Sequence, residues 1–161
     1  MSAVPEAVRR VTDVLQRAGH PHRPIMLDDA ARTAQQAAAA LGIVVGQIAK
    51  SIIFLRQADG AAVLVVTSGD RRVDERKVAA LLGPLGRADA SFVKSKTGYS
   101  IGGVPPLAHA TASVTLIDRE LLRFEEIWAA AGHPHAVFRL SPADLVALTG
   151  APVADVVVDP A

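Results

Sequence analysis

Two apolar runs separated by a short turn constrain the fold of this chain more than any other feature. Ile48 to Leu55 reads IAKSIIFL, Val63 to Thr67 reads VLVVT, and Ala58-Asp59-Gly60 lies between them. β-Branched and other apolar residues favour extended backbone, and Asp-Gly suits a tight turn between strands. The sequence therefore predicts an antiparallel hairpin at the centre of a β-sheet.

Helical patterns alternate with further short strands along the rest of the chain. Apolar residues recur at helical spacing from Val4 to Leu15, and Thr33 and Gly42 suit the two ends of an alanine-rich helix. Further helices are predicted over residues 74–82, 90–96 and 141–148, and further strands over 24–27, 113–117, 127–131, 136–140 and 153–158. Helices interleaved with hairpins predict an α/β fold with a mixed, curved sheet.

Composition limits the class of protein. With 161 residues, half of them apolar, the chain fits a single domain over 1–161. The 17 basic and 16 acidic residues nearly balance, so a polyanion would have to meet a local basic patch. The chain has no cysteine, which excludes disulfides and thiolate catalysis. The amino-terminal segment reads as a helix, and no run approaches the roughly 20 apolar residues of a membrane span, so we expect a soluble cytoplasmic protein without membrane contact.

The segment from Thr97 to His109, TGYSIGGVPPLAH, concentrates backbone features that a packed core does not need. Gly102 and Gly103 have no Cβ, so their N–H groups can approach a ligand oxygen or adopt positive φ. Pro105 and Pro106 then restrict the loop. The segment is either a tight connection between strands or a shaped binding loop.

Lys50 is the strongest single candidate for a functional side chain, because it interrupts a hydrophobic strand. It is either a lysine that reaches solvent along a strand edge or a cation that lines a pocket and holds a phosphate or carboxyl oxygen. Ser51 alternates to the opposite face of the strand, so we expect it not to share a site with Lys50.

Histidines give little indication of a metal site. Four of the five lie in two Gly-His-Pro-His turns, at residues 19–22 and 132–135, and are interpreted as turn residues. His109 closes the glycine-proline loop and is a candidate for lining a site. No P-loop, nucleophile elbow, HExxH or Rossmann signature is present. A hydrolase without such a motif would act by binding its substrate and a water.

A charged cluster follows the hairpin at GDRRVDERK. It is either a capped helix entrance with a solvated face or, through Arg71, Arg72, Arg76 and Lys77, a basic patch for a nucleic-acid end that Lys94 and Lys96 extend. Tyr99 either stacks on a base or packs in the core.

Three segments together resemble the YbaK/EbsC family of aminoacyl-tRNA deacylases, which are freestanding relatives of the editing domain of bacterial prolyl-tRNA synthetases. They are IAKSIIFL, SGDRRVDERKVAALLG (residues 68–83) and TGYSIGGVPPLAH, and the likeness spans residues 25–158. It implies a barrel-like mixed sheet surrounded by helices, no metal or cofactor, and hydrolysis of a mischarged aminoacyl-tRNA. A hydroxyl of the terminal ribose is expected to assist proton transfer.

The resemblance places the family's strand lysine on Lys50 and its GxxxP loop on Gly102 to Pro106. On this basis the expected catalytic residues are Lys50, Gly102, Gly103 and Pro106. The expected substrate-contacting residues are Tyr99, Ile101, Val104, Pro105, His109, Ser68 and Asp70. The expected tRNA-contacting residues are Arg71, Arg72, Lys94 and Lys96.

The expected substrate is tRNA(Pro) that carries a wrong small amino acid: alanine, serine, threonine, cysteine or 2-aminobutyrate. The Lys-Ser pair resembles freestanding members that act on small residues more than the alanine-specific branch, which has a Lys-Asn pair. A transient contact with prolyl-tRNA synthetase is also implied. The alternative is a module that binds or regulates the aminoacyl end without cleaving it.

Overall fold

The structure is a computed structural model that describes residues 4–28 and 33–159; the first three residues of the amino-terminal segment that was interpreted as a helix lie outside them. The helices are α1 (Glu6–Arg17), α2 (Ala34–Leu41), α3 (Glu75–Leu82), α4 (Ala90–Thr97) and α5 (Pro142–Thr149). The strands are β1 (Ile25–Met26), β2 (Ile48–Arg56), β3 (Ala62–Ser68), β4 (Leu85–Arg87), β5 (Val114–Asp118), β6 (Ile127–Ala130), β7 (Ala136–Leu140) and β8 (Val153–Ala154).

Local capping chemistry explains where the predicted helices begin and end. At α2 the Thr33 hydroxyl accepts a hydrogen bond from the Gln36 N–H, and the Gln36 side chain accepts one from the Thr33 N–H. Gly42 ends the helix in the left-handed region at φ 71°. Ser141 and Asp144 form the same reciprocal pair at the start of α5. Reciprocal caps satisfy backbone donors that the first turn leaves unpaired.

The sheet is mixed, as predicted. Its strand order is β1-β7-β6-β2-β3-β5-β8, with β4 paired to β2 beside this path. The β2/β3 and β6/β7 hairpins are antiparallel, whereas β2/β6, β3/β5 and β5/β8 are parallel. The path runs from β1 to β8 without closing, so the barrel-like sheet is open over the described residues. The predicted α/β class is confirmed.

Alternate residues of β3 enter two separate cores, which makes this strand the centre of the fold. Leu64 and Val66 pack into a core that includes α1 and α5, whereas Val63 and Val65 pack with α3 on the opposite face. All four are fully buried. Burial on both faces explains why this run is continuously apolar.

One strand prediction was wrong in its extent, and one short strand was not predicted. The run from residue 153 to 158 forms strand only at Val153–Ala154, because Asp155 leaves the ladder and receives the Lys77 ammonium at 3.0 Å. Val157 is nevertheless bridged to Val73. Strand β4 was not predicted, since its three residues are too short for an alternating pattern to be visible.

One edge of β2 is only partly covered. Strand β3 pairs with one edge from Ala49 to Leu55. On the other edge β6 covers Ile48 and Ala49, and β4 covers the strand from Phe54 onward. Residues 50–53 therefore have no strand partner on that edge within the described part of the chain. The gap between β6 and β4 positions the candidate site.

Candidate active site

A pocket of about 290 Å³ opens where β2 has no strand partner, and we call it the edge pocket. Parts of α2, β2, β6, the 97–109 loop and the β6/β7 turn line it: Thr33, Ala34, Ala37, Ile48, Ala49, Lys50, Ser51, Ile52, Ile101, Gly102, Val104, Trp128, Ala129, Ala130, Pro134 and Val137. Most of these residues are apolar. Among the described residues that line the pocket, Lys50 is the only one with a charged side chain. A small apolar pocket with few polar groups is typical of a ligand site.

Lys50 is held by the backbone of the turn after β3. Its Nζ donates a hydrogen bond to the Arg71 carbonyl at 3.2 Å, and the side chain is half-buried. Burial lowers the pKa of this ammonium, and the negative charge of Asp70 partly offsets that effect. Lys50 also lines an adjoining cleft of about 210 Å³ that includes Arg71 and Arg72. The ammonium thus lies between the edge pocket and a basic cleft.

The glycine-proline loop lines the edge pocket with its first half. Ile101, Gly102 and Val104 contact the pocket, and Gly102 has a φ of +94°, which explains the glycine at this position. A Cβ at Gly102 would meet no atom closer than Pro134 at 3.7 Å. The surface of Gly102 therefore remains open to a ligand.

Gly103 faces the protein instead of the pocket. It is buried, and a Cβ there would lie 2.9 Å from the backbone N, Cα and C atoms of His133. Its carbonyl accepts a hydrogen bond from the Gly132 N–H at 2.9 Å. This close contact holds the loop against the β6/β7 turn, whose Pro134 lines the edge pocket.

His109 ties the second half of the loop together. Its Nε2 lies 2.7 Å from the Pro105 carbonyl and its Nδ1 lies 2.7 Å from Ser113 Oγ. A carbonyl can only accept, so Nε2 carries the proton and the Ser113 hydroxyl donates to Nδ1. Burial lowers the pKa of His109, which favours this neutral form. His109 and Pro106 line a different cavity, of about 250 Å³.

Tyr99 packs in the core, which decides between the two interpretations left open by the sequence. Its side chain is 1% exposed, and its hydroxyl donates to the Ala108 carbonyl at 2.9 Å. The Arg10 guanidinium lies over the ring, 4.7 Å from its centroid. Tyr99 therefore holds the glycine-proline loop against the core.

Ser68 and Asp70 belong to an ionic network beside the pocket and are not part of its lining. The Arg123 guanidinium donates to both Asp70 oxygens, at 2.8 and 3.3 Å, and to Ser68 Oγ at 2.9 Å. Ser68 Oγ also lies 2.5 Å from the Gly46 carbonyl oxygen. The Arg123 hydrogen bonds hold the pKa of Asp70 below its usual range. The network fixes the turn whose Arg71 carbonyl accepts the hydrogen bond from Lys50. Arg123 was not among the residues predicted from the sequence.

The four basic residues expected to contact tRNA differ in their surroundings. Arg71 is paired with Asp70 and Glu120, at 3.3 and 3.4 Å. Arg72 is exposed beside the basic cleft, and Lys94 is exposed on α4. Lys96, half-buried, lies over the Phe92 ring at 5.9 Å. Arg72 and Lys94 are thus the most accessible of the four.

Ser51 lines the edge pocket together with Lys50, against expectation. The two side chains do alternate across β2, since Ser51 lies opposite Val66 and Lys50 opposite Thr67. The pocket, however, lies at the open edge of the strand and not on one face, so side chains from both faces reach it. The prediction that Ser51 could not share a site with Lys50 was wrong for this reason.

Several other lining residues were not identified from the sequence. Thr33, Ala37, Trp128 and Pro134 come from a helix cap, a helix, a strand and a turn that are distant from Lys50 along the chain. In the sequence, each of them is explained by its role in its own helix, strand or turn. Their position in a gap between two strands becomes visible only once the sheet pairing is known.

The edge pocket has groups that can bind and orient a substrate but few side chains that could act as a general acid or base. Its described lining includes an ammonium, hydroxyls and a glycine backbone, but no carboxylate, imidazole or thiol. Such a site favours hydrolysis by electrostatic stabilisation and by positioning of a water. No helix in the described segments is long and apolar enough to cross a membrane.

Several known proteins are similar to this chain in sequence or in structure. Residues 28–148 match the family described as the aminoacyl-tRNA editing domain. YwhH, an uncharacterized protein of Bacillus subtilis (strain 168), is 32% identical over 114 residues, which are 70% of this chain and 72% of that protein. The crystal structure of a proposed trans-editing enzyme for prolyl tRNA synthetase is 42% identical, with a TM-score of 0.92, and covers 98% of this chain and 100% of that one. The crystal structure of hypothetical protein APE2540 is 36% identical, with a TM-score of 0.85, and covers 92% and 99%.

Proposed function

Because the chain belongs to the aminoacyl-tRNA editing domain family, we propose that it is a deacylase that hydrolyses the ester of a mischarged tRNA in trans. The observation that carries this proposal is the edge pocket, where Lys50 and the glycine loop meet in an apolar cavity of about 290 Å³. This volume lies just below the roughly 300–1,000 Å³ typical of ligand pockets. It suits the aminoacyl end of a tRNA.

The reaction needs no covalent enzyme intermediate. Water attacks the ester carbonyl carbon, the bond from that carbon to the ribose oxygen breaks, and the ribose oxygen takes a proton. Lys50 holds a substrate oxygen near the terminal adenosine, and the exposed backbone of Gly102 orients the carbonyl and the water. The neighbouring ribose hydroxyl relays the proton, since the described lining offers no side-chain base. Gly103 and Pro106 contribute through the shape of the loop.

The proposed acceptor is tRNA(Pro), and the proposed amino acid is a small one. A protein 42% identical to this chain is described as a proposed trans-editing enzyme for prolyl tRNA synthetase, which supports this acceptor. Arg72 and Lys94, with Arg71 and Lys96, would contact phosphates near the acceptor end. We propose that the chain acts in the cytoplasm and contacts the synthetase transiently.

Substitution of Lys50 tests the proposal. Wild type and Lys50→Met are assayed for release of the amino acid from tRNA(Pro) charged with alanine, serine, threonine, cysteine or 2-aminobutyrate. Lys77→Met is the matched control, since that lysine binds Asp155 and Asp159 away from the pocket. We expect Lys50→Met to lose about 100-fold or more in kcat/KM, as removal of an electrostatic group at the reacting centre does, and Lys77→Met to retain activity.

Two further results would decide between the proposal and a module that only binds. Tight binding of aminoacyl-tRNA without ester hydrolysis would contradict the deacylase assignment. A substrate with a 2′-deoxy terminal adenosine should bind with similar affinity and react more slowly. Unchanged hydrolysis of that substrate would refute the ribose-assisted proton transfer.

A further inference from the structure

Ser51 has a buried hydroxyl without a hydrogen-bond partner. Among the described residues, Ser51 Oγ is the only buried side-chain nitrogen or oxygen atom without a hydrogen-bond partner. Most buried polar groups are paired, because an unpaired hydroxyl inside a protein costs free energy. A hydroxyl without a protein partner beside a pocket is available to pair with a ligand atom.

Ser51 lies where two cavities meet. It lines the edge pocket and also a smaller cavity of about 190 Å³, which we call the side cavity. The side cavity is lined by Ser51, Ile52, Ile53, Ala88, Val93, Ile101, Gly102 and Val104. All of these except Ser51 are apolar or glycine, so Ser51 is the residue of the described lining that has a polar side chain.

The two cavities differ in charge. Lys50 lines the edge pocket and is not part of the described lining of the side cavity. The ribose and carbonyl oxygens of an aminoacyl ester suit the edge pocket, beside the ammonium. A small uncharged side chain suits the side cavity. Gly102, which lines both, is the expected position of the ester carbonyl between them.

We propose that the side cavity receives the amino-acid side chain and that Ser51 Oγ hydrogen-bonds a hydroxyl on its β-carbon. The preferred substrates are then seryl- and threonyl-tRNA; this rests on the deacylase function proposed above. A methyl group in place of that hydroxyl fits the same volume but leaves Ser51 unpaired. A site built to pair a substrate hydroxyl rejects the analogue without it more strongly than a site selecting by size alone.

Isosteric substrate pairs test this directly. Serine and 2-aminobutyrate differ by a hydroxyl in place of a methyl, as do threonine and valine. Deacylation efficiency is measured on tRNA charged with each, for wild type, Ser51→Ala and the control Ser95→Ala, which removes an exposed hydroxyl from α4. We expect wild type and Ser95→Ala to prefer the hydroxylated member of each pair by about 10-fold or more.

In Ser51→Ala the preference should fall to near one, mainly through loss of activity on the hydroxylated substrates. Thermal unfolding verifies that the variant is folded, and removal of an unpaired buried hydroxyl should not lower its stability. Equal efficiencies for wild type, or a ratio that Ser51→Ala leaves unchanged, would overturn the inference while deacylase activity stands. Absence of hydrolysis of any aminoacyl-tRNA by wild type would overturn the deacylase function, and this inference with it.

Discussion

Gly103 offers the sharpest test of how the glycine loop is built. Gly103→Ala would place a Cβ 2.9 Å from three backbone atoms of His133. Ordinary contacts between carbon atoms are about 3.5–4.0 Å, so the loop and the β6/β7 turn must separate by roughly 0.5–1 Å. Backbone cannot rotate away as a flexible side chain does. The separation also weakens the bond from the Gly132 N–H to the Gly103 carbonyl.

The expected cost follows from these two effects. Overpacking costs about 1–3 kcal/mol, and loss of one hydrogen bond adds about 0.5–1.5 kcal/mol, giving about 2–4 kcal/mol in the free energy of unfolding. For a domain of this size each kcal/mol lowers Tm by about 2–4 °C, so we expect a decrease of about 5–15 °C. KM for aminoacyl-tRNA should also rise, because Pro134 of the same turn lines the edge pocket.

Gly86→Ala is the matched control for Gly103→Ala. A Cβ at Gly86 would meet Leu55 Cδ2 at 3.5 Å, an ordinary contact with a flexible side chain, so Tm should stay within about 2 °C of wild type. Thermal and urea unfolding followed by circular dichroism, together with deacylation kinetics, measure both effects. Equal Tm values for Gly103→Ala and Gly86→Ala would refute the argument that glycine is required here for close packing.

Three further predictions concern the charges around the site. Asp70→Asn should lower the free energy of unfolding at pH 7 by about 1 kcal/mol, since it weakens a partly exposed pair with Arg123. Because folding lowers the pKa of Asp70, this contribution should be lost as pH falls from about 4 through the folded-state pKa, as urea unfolding at several pH values can verify. If protonated Lys50 holds the substrate, enzymatic deacylation should slow as pH rises and the Lys50 ammonium loses its proton. Because burial lowers the pKa of Lys50, this decline should occur below the pKa of about 10.4 of an exposed lysine, and in Asp70→Asn it should occur at still lower pH. Superimposable pH profiles for wild type and Asp70→Asn would contradict this. Arg72→Ala should weaken tRNA binding. It should also reduce the slope of log affinity against log salt concentration by about 0.7, the value for one lost contact to a single-stranded phosphate. An unchanged slope in salt titrations would show that Arg72 does not contact the tRNA.

Elements that depend on neighbouring residues were predictable from the sequence. The β2/β3 hairpin, the amino-terminal cap at Thr33 and the left-handed Gly42 each follow from residues a few positions apart, and all three were found as predicted. The return hydrogen bond from the Thr33 N–H to the Gln36 side chain was not predicted. The mixed character of the sheet followed from the order of helices and strands. The resemblance at Lys50 and the glycine loop led to the family that the comparisons support.

The composition of the site depends on pairing between distant segments. Strands β6 and β4 cover the two ends of one edge of β2, and the gap between them allows both Lys50 and Ser51 to line one pocket. Arg123 reaches Ser68 across 55 positions of the chain. Alternation along a strand shows which face a side chain occupies, but it carries no information about which edge remains open. The amino acids alone thus predicted the hairpin, the caps and the family, whereas the location of the pocket and the unpaired Ser51 hydroxyl arise from long-range strand pairing.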